Sequence, residues 1–240
     1  MRTSEWPLAA SAPVGPPPLC GAATGVPAPP SHPDVSTTAV EPSTVMAMTD
    51  ATPSSAQPAQ AVLREAVHER IAELFTRDSA VFGRDLAPYR GHAHRVAALV
   101  MGQVDMRPEW VEPVAVASYY HDAAIWFEHT WDYLPGSESL AAQELSRTGH
   151  EGDAALVTAM IDEHHRVRPA RNPHPLVEAM RRADATDVYR LPLPPHVSRD
   201  DYRAMLKRFP DNGMHLMLGR GFVMGLKERK RLNPMPMVKL

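Results

Sequence analysis

The sequence predicts an all-α protein, a multi-helix bundle formed by residues 60–240 and preceded by a disordered tail of residues 1–59. From residue 60 onward, apolar residues recur every three or four positions, which is the period of an amphipathic helix. We find no convincing run of alternating apolar and polar residues that would indicate a strand. Twelve of the 25 prolines lie in residues 1–60, so helix-breaking residues are concentrated outside the helical region.

The first 59 residues are rich in proline, alanine, serine and threonine, and Trp6 is their only aromatic residue. Such a segment buries too little apolar surface to offset the entropy that it would lose on ordering. It also lacks the basic start and the apolar stretch of a secretory signal. We therefore expect residues 1–59 to be disordered and residues 60–240 to form a single domain with one core.

The first three helices are predicted from apolar spacing and from the positions of prolines. The first begins at about residue 60, and the second covers about 88–102 with Pro88 in its first turn. The third begins near Pro108, or at Pro113 if that proline occupies the first turn, and continues to about Glu128. Because this third segment is apolar almost all round, we expect it to be central and buried.

Five further helices are predicted from capping and breaking residues. Ser137 or Ser139 can cap the fourth, which ends near Gly149. Ser198 begins the seventh, which ends before Pro210. The others are predicted over about 153–165, 175–189 and 213–230, the last of these ending before the breakers Pro234 and Pro236.

Charge and cysteine content exclude several classes of function. Residues 1–60 carry a net charge of −3, which equals the net charge of the whole chain, so residues 61–240 have none. A neutral domain lacks the uncompensated basic surface that broad nucleic-acid binding needs. Cys20 is the single cysteine, which excludes an internal disulfide framework and a multi-cysteine zinc site. No apolar run approaches the roughly 18 residues of a membrane span, and in the absence of membrane and export signals we expect a cytoplasmic protein.

Eleven of the twelve histidines lie in residues 61–240, and some stand near acidic residues on otherwise apolar helices. His121 and Asp122 interrupt the apolar third helix, and Asp184 lies between two alanines on the sixth. A buried carboxylate costs several kcal/mol unless it is paired or binds a metal ion. With His92 near the start of the second helix, these residues would supply two imidazoles and two carboxylates. That ligand set suits a divalent transition metal: Mn, Fe, Co, Ni or Zn.

The spacing of these residues fits equally well with a buried polar cluster that binds no metal. His121 and Asp122 could form a hydrogen-bonded buried pair, and Asp184 could pair with Arg95 or Arg181. Arrangements of this kind satisfy a buried carboxylate as well as a cation does.

The motifs resemble those of the HD-domain superfamily of metal-dependent phosphohydrolases. The family pattern is a histidine on one helix, a His-Asp pair on a later helix and a final aspartate; residues 89–96, 120–122 and 182–184 match it. The chain is still more similar to a little-characterised bacterial branch, through 121–126, 132–137, 161–165, 178–187, 209–215 and 234–237. The resemblance implies an all-α fold and hydrolysis of a small phosphate ester, such as a nucleotide, by a metal-activated water. It also implies a metal held by His92, His121, Asp122 and Asp184.

The catalytic groups follow less directly from the resemblance. Some HD phosphohydrolases have a catalytic glutamate or lysine within four residues after the His-Asp pair, but here residues 123–126 are Ala, Ala, Ile and Trp. Beside Asp122, the nearest acid is Glu128, which could carry a proton or could be a solvated residue at a helix end. Arg95, Arg181 and His165 are candidates to stabilise charge on a phosphoryl group, with surface or ion-pair roles as the alternative.

Two other functions fit the same scaffold. HD-like proteins also include di-iron oxygenases and a hydratase of a small nitrile-like substrate. His150, His164 and His165 could complete a second metal site of this kind, or they could be solvated or hydrogen-bonded. A protein that binds a small molecule without turning it over is the remaining alternative.

Overall fold

A computed structural model describes residues 56–228 and 237–238 of the chain. Within these residues the protein is all-α, as predicted, and has no β-strand. Pro234, Pro236 and the predicted tail up to residue 55 lie outside the described residues. The helices are α1 (Ala56–Arg77), α2 (Ser79–Phe82), α3 (Leu86–Met101), α4 (Val111–Tyr120), α5 (Ala124–Phe127), α6 (Leu134–Thr148), α7 (Ala154–Glu163), α8 (Pro175–Tyr189), α9 (Arg199–Arg208) and α10 (Met214–Glu228).

Helices α3 and α4 form the centre of the bundle. Helix α3 packs against α1, α4 and α8, and α4 also packs against α1, α6 and α7. Residues 113–120 of α4 are all buried, which confirms the expectation that the apolar third segment is central. Five buried aromatic rings join α1, α2, α3, α4 and α5 through tilted and edge-to-face contacts, the arrangements that aromatic pairs prefer. These rings belong to Phe75, Phe82, Tyr89, Tyr119 and Trp126.

The predicted third helix does not run unbroken to residue 128. Regular helix ends at Tyr120, and residues 121–123 form a turn before the short helix α5. Hydrogen bonds between residues three apart tighten this turn: the Ala123 amide donates to the Tyr120 carbonyl at 3.0 Å, and the Ile125 amide to the Asp122 carbonyl at 3.1 Å. The His-Asp pair therefore lies in a turn between two helices rather than in the middle of one.

Several other boundaries differ from the predictions. Helix α1 begins at Ala56 rather than at residue 60, and α2 was not predicted. Helix α6 begins at Leu134, so Ser137 does not cap it; its hydroxyl instead accepts a hydrogen bond from the Ala124 amide at 3.2 Å. Helix α7 ends at Glu163 rather than at residue 165, which leaves the next two histidines in a turn.

Two helix limits follow the sequence signals closely. Helix α8 has the predicted bounds, and α9 begins after Ser198, whose hydroxyl accepts a hydrogen bond from the Asp201 amide at 3.0 Å. Gly149 ends α6 in the left-handed conformation, with φ of 75°, which a glycine adopts without a steric penalty.

Gly91 of α3 lies where the segment between α9 and α10 crosses this helix. A Cβ at this position would lie 2.6 Å from the carbonyl oxygen of Pro210, which is a backbone atom and cannot rotate away. We expect Gly91→Ala to lower the free energy of unfolding by about 1–3 kcal/mol in urea denaturation. Gly152→Ala is the control because nothing lies within 4 Å of its Cβ position. Equal stability of Gly91→Ala and the wild type would contradict this packing.

Glu144 of α6 receives hydrogen bonds from three arginines, Arg70, Arg77 and Arg147. Although burial raises the pKa of Glu144, these hydrogen bonds outweigh it and lower the pKa to about 2. The ionised carboxylate therefore stabilises the folded state above the ordinary pKa of 4.5, and the contribution is lost as pH falls towards 2. Because Arg77 and Arg147 are partly exposed, water weakens these ion pairs, and we expect the ionised Glu144 to contribute about 2 kcal/mol to the free energy of unfolding. The difference in free energy of unfolding between wild type and Glu144→Gln should then narrow between pH 5 and pH 2. A difference that stays constant over this range would contradict the lowered pKa of Glu144.

Candidate metal centre

Six polar side chains meet between α3, α8 and the turns that follow α4 and α7. Each of them is at most 8% exposed. Their possible ligand atoms form overlapping groups of three in which all atoms lie within 4.8 Å of one another. We call these residues the His/Asp cluster: His92, His121, Asp122, His164, His165 and Asp184.

The turns that end α4 and α7 allow two consecutive residues to face the His/Asp cluster. His121 and Asp122 lie in the turn between α4 and α5, and His164 and His165 lie in the turn after α7. In a regular helix, neighbouring residues point in directions about 100° apart, so consecutive ligands do not share a face. Tyr89 fixes the first turn, because its hydroxyl donates to the Tyr119 carbonyl at 2.6 Å and accepts from the Asp122 amide at 3.3 Å.

Three imidazoles of the His/Asp cluster have one nitrogen held by an acceptor. The Nδ1 atoms of His92, His121 and His164 bond to the Asp187 carboxylate at 2.8 Å, the Ser118 carbonyl at 2.9 Å and the Ile161 carbonyl at 2.6 Å. Because each partner only accepts, Nδ1 carries the proton and the Nε2 lone pair faces the cluster. Histidines that bind metals are typically held in this way.

The facing lone pairs need a positive charge between them. His92 Nε2 lies 2.9 Å from His121 Nε2 and 3.3 Å from Asp184 Oδ1. Two unprotonated nitrogens at this distance repel each other, so the pair requires either a proton or a metal ion. Burial lowers the pKa of His92, but the neighbouring carboxylates of Asp184 and Asp187 outweigh it and raise the pKa to about 9. Metal binding would therefore displace a proton.

The two carboxylates each face two sets of histidines. Asp184 directs Oδ1 towards His92 and His121, and its Oδ2 lies 3.5 Å from Nδ1 of His165. Asp122 directs Oδ2 towards His121 at 3.5 Å, and its Oδ1 lies 3.4 Å from His164 Nε2. Each carboxylate could therefore bridge two ions or bind one.

Burial and the neighbouring charges set the protonation of the other members. Burial lowers the pKa values of His121 and His165 to about 4. Burial also opposes ionisation of Asp122 and Asp184, but the surrounding imidazoles outweigh it and lower both pKa values. Burial lowers the pKa of His164 as well, yet its contacts with the carboxylates raise it overall.

Unsatisfied atoms test whether these residues fit a cation. Among the described residues, five buried atoms of the His/Asp cluster have no hydrogen-bond partner. Buried polar atoms without partners are rare in folded proteins because each costs on the order of 1–3 kcal/mol. All are atoms that donate an electron pair to a metal, and the cluster could therefore hold a metal ion. They are Asp122 Oδ1, His164 Nε2, His165 Nδ1 and both carboxylate oxygens of Asp184.

Asp187 and Tyr133 support the cluster, and the sequence reasoning assigned a role to neither. Asp187 holds His92 and also accepts two hydrogen bonds from Arg95, both at 2.7 Å. Its position one helical turn after Asp184 was the available signal, since residues three apart share a face. The Tyr133 hydroxyl lies 2.6 Å from Nε2 of His165.

The structure places the remaining candidate residues outside the cluster. Arg95 is 1% exposed and bound to Asp187, and Arg181 is bound to Glu178 at 2.7 Å. Neither arginine pairs with Asp184, because each has a nearer carboxylate on α8. His150 is exposed and lies 3.4 Å from Asp153. Glu128 is also exposed, and its carboxylate lies where a Cβ on Gly136 would be.

Across the described residues, no helix combines the length and the apolar character that a bilayer span requires. No family model, curated protein or solved structure matches this chain. The resemblance to HD-domain proteins therefore rests on the sequence motifs alone.

Proposed function

We propose that this protein is a metal-dependent hydrolase of the HD-domain type, acting on a small phosphate ester such as a nucleotide. The observation that carries the proposal is the set of five buried donor atoms without hydrogen-bond partners, which belong to overlapping groups whose ligand atoms lie within 4.8 Å of one another. Hydrogen-bonded pairs within the cluster would not leave these atoms without partners. The nitrogen and oxygen donor set favours a hard or borderline divalent ion such as Mn, Fe, Co, Ni or Zn.

When bound, a divalent metal would acidify a water molecule and polarise a phosphoryl oxygen. The chain's own contribution is to hold the imidazoles in a fixed tautomer through Asp187, Ser118 and Ile161. Asp122 would hold the metal through Oδ2, which faces His121, and we assign proton uptake to its Oδ1, which is buried and lacks a hydrogen-bond partner among the described residues. Arg95 and Arg181 are neutralised by carboxylates, so we assign neither to the phosphoryl group.

A second candidate function uses two metal ions. It is favoured by the split orientation of Asp122 and Asp184, because each carboxylate faces histidines on two sides. His164 and His165 supply the additional imidazoles that a second ion needs. This arrangement would support a di-iron oxygenase or a hydratase of a small molecule as well as a two-metal phosphohydrolase. A binding protein without turnover would retain metal and ligand but form no product.

Metal content and activity distinguish these functions. Protein purified without oxygen would be analysed for metals, and then assayed on phosphate esters with Mn, Co, Ni or Fe. We expect hydrolysis by the wild type and by Asp105→Asn, an exposed control, but not by chelated protein or by Asp184→Asn. If no metal form of the wild type exceeds Asp184→Asn, the hydrolase is rejected. Two irons per chain with a charge-transfer absorbance and no phosphatase activity would favour the oxygenase.

A further inference from the structure

A cleft of about 380 Å³ lies on the surface between α1, α3, α9 and the segment before α9. None of the six cluster residues lines it. Its volume is within the range of small-molecule sites, which is roughly 300–1,000 Å³. His68 of α1, a buried residue, forms part of the wall, and its Nδ1 lies 3.1 Å from Nδ1 of His94.

The apolar part of the lining would accommodate a hydrocarbon group. Ala98 of α3, Val197 of the segment before α9 and Tyr202 of α9 are partly buried side chains that line the cleft with apolar surface. Burial lowers the pKa of His68 to about 4, so this imidazole is neutral near pH 7 and adds no charge to the lining. A ligand without apolar surface would leave the accessible parts of Ala98, Val197 and Tyr202 in contact with water.

Among the charged residues that line the cleft, two form an ion pair with each other, and two others form no ion pair with a described residue. Arg208 and Glu65 neutralise each other through contacts of 2.7 and 2.9 Å. Arg64 has no ion pair with any described residue. The Asp201 carboxylate accepts a hydrogen bond from the neutral Ser198 hydroxyl, at 2.6 Å, and forms no ion pair with the described residues. The cleft therefore offers one cation and one anion to a ligand.

We propose that this cleft binds a small zwitterion with an aliphatic body, the chemistry of a branched-chain amino acid. Arg64 would bind the carboxylate and Asp201 the ammonium group, while the aliphatic part would contact Ala98, Val197 and Tyr202. The site does not depend on the function proposed for the His/Asp cluster. Both charged residues are exposed, so the affinity is expected to be modest, with Kd on the order of 1 mM.

Calorimetric titration of the full chain with three probes tests the proposal: leucine, 4-methylpentanoate and 3-methylbutylamine. The last two carry the same branched body with only one of the charges. We expect leucine to bind at least about 10-fold more tightly than either, because each lost charge leaves one side chain unpaired. Equal binding of all three probes, or no saturable binding of leucine, would overturn the proposal.

Substitutions locate the binding and separate the two charges. Arg64→Gln should weaken leucine binding about 10-fold and leave binding of the amine unchanged, whereas Asp201→Asn should weaken leucine and leave 4-methylpentanoate unchanged. Arg203→Gln and Asp200→Asn are matched controls, since these exposed residues of α9 do not line the cleft. Leucine binding that survives both Arg64→Gln and Asp201→Asn would place the ligand elsewhere and refute the assignment.

Discussion

Asp122→Asn is expected to abolish hydrolysis and to lower metal affinity by at least about 100-fold. The substitution keeps the size of the side chain but removes the negative charge that faces His121 on one side and His164 on the other. An amide nitrogen would also replace one donor oxygen, and a protonated nitrogen cannot bind a metal. Metal affinity would be measured by competition with a chromogenic chelator, and hydrolysis on the best phosphate ester.

Asp105→Asn provides the matched control, because it makes the same change on an exposed residue outside the cluster. Its metal affinity and activity should equal those of the wild type. Thermal unfolding with and without metal gives an independent measurement. A saturating metal should stabilise the wild type by about 4 kcal/mol at 1,000 times Kd and should stabilise Asp122→Asn far less. Wild-type metal affinity in Asp122→Asn would exclude this carboxylate as a ligand.

Arg95→Ala is expected to destabilise the fold by about 3–5 kcal/mol, because it leaves the charge of Asp187 buried with fewer partners. Arg95 and Asp187 are each 1% exposed. The guanidinium also donates to the carbonyls of Phe209 and Pro210, at 3.2 and 3.0 Å, and so holds the segment between α9 and α10. Urea denaturation of the metal-free protein measures the loss, and Arg203→Ala is the exposed control.

The double variant Arg95→Met with Asp187→Leu separates the structural role of this pair from its effect on the metal site. Apolar residues in place of a buried ion pair often restore stability, so the double variant should be more stable than Arg95→Ala. His92 would still lose the acceptor that holds its Nδ1, and metal affinity should fall about 10–100-fold. An Arg95→Ala protein of wild-type stability with a raised KM would instead support a direct contact with the substrate.

Much of the fold was predictable because helix signals act over short distances. The bounds of α8 and the cap at Ser198 depend on residues within one or two turns, and both follow the sequence. The end of α4 could not be predicted in this way, because residues 118–128 contain no proline or glycine that would mark the end of a helix. The turn there is held by Tyr89, which is far away in the sequence and belongs to α3.

The residues of the candidate site were also predictable only in part. An isolated Asp184 between alanines and a His-Asp pair in an apolar segment are visible in the sequence, since burial of either is costly unless it is compensated. The sequence offered His150 and the pair His164 and His165 on equal terms, yet only the pair reaches the cluster. Likewise, the sequence offered Arg95 and Arg181 equally as candidates to contact a phosphoryl group. The packing of α3 against α8 places Arg95 in an ion pair with Asp187.

The sequence by itself determined the all-α class, most of the helical segments, the burial of the central one, and that the carboxylates of Asp122 and Asp184 need compensation. Those properties depend on residue type and local spacing. Only the tertiary structure decided which partners provide compensation, because helices far apart in the chain meet at angles and offsets that no local pattern specifies. It thereby separated the histidines that face the cluster from the exposed His150, and it paired Arg95 and Arg181 with carboxylates of α8 outside the cluster.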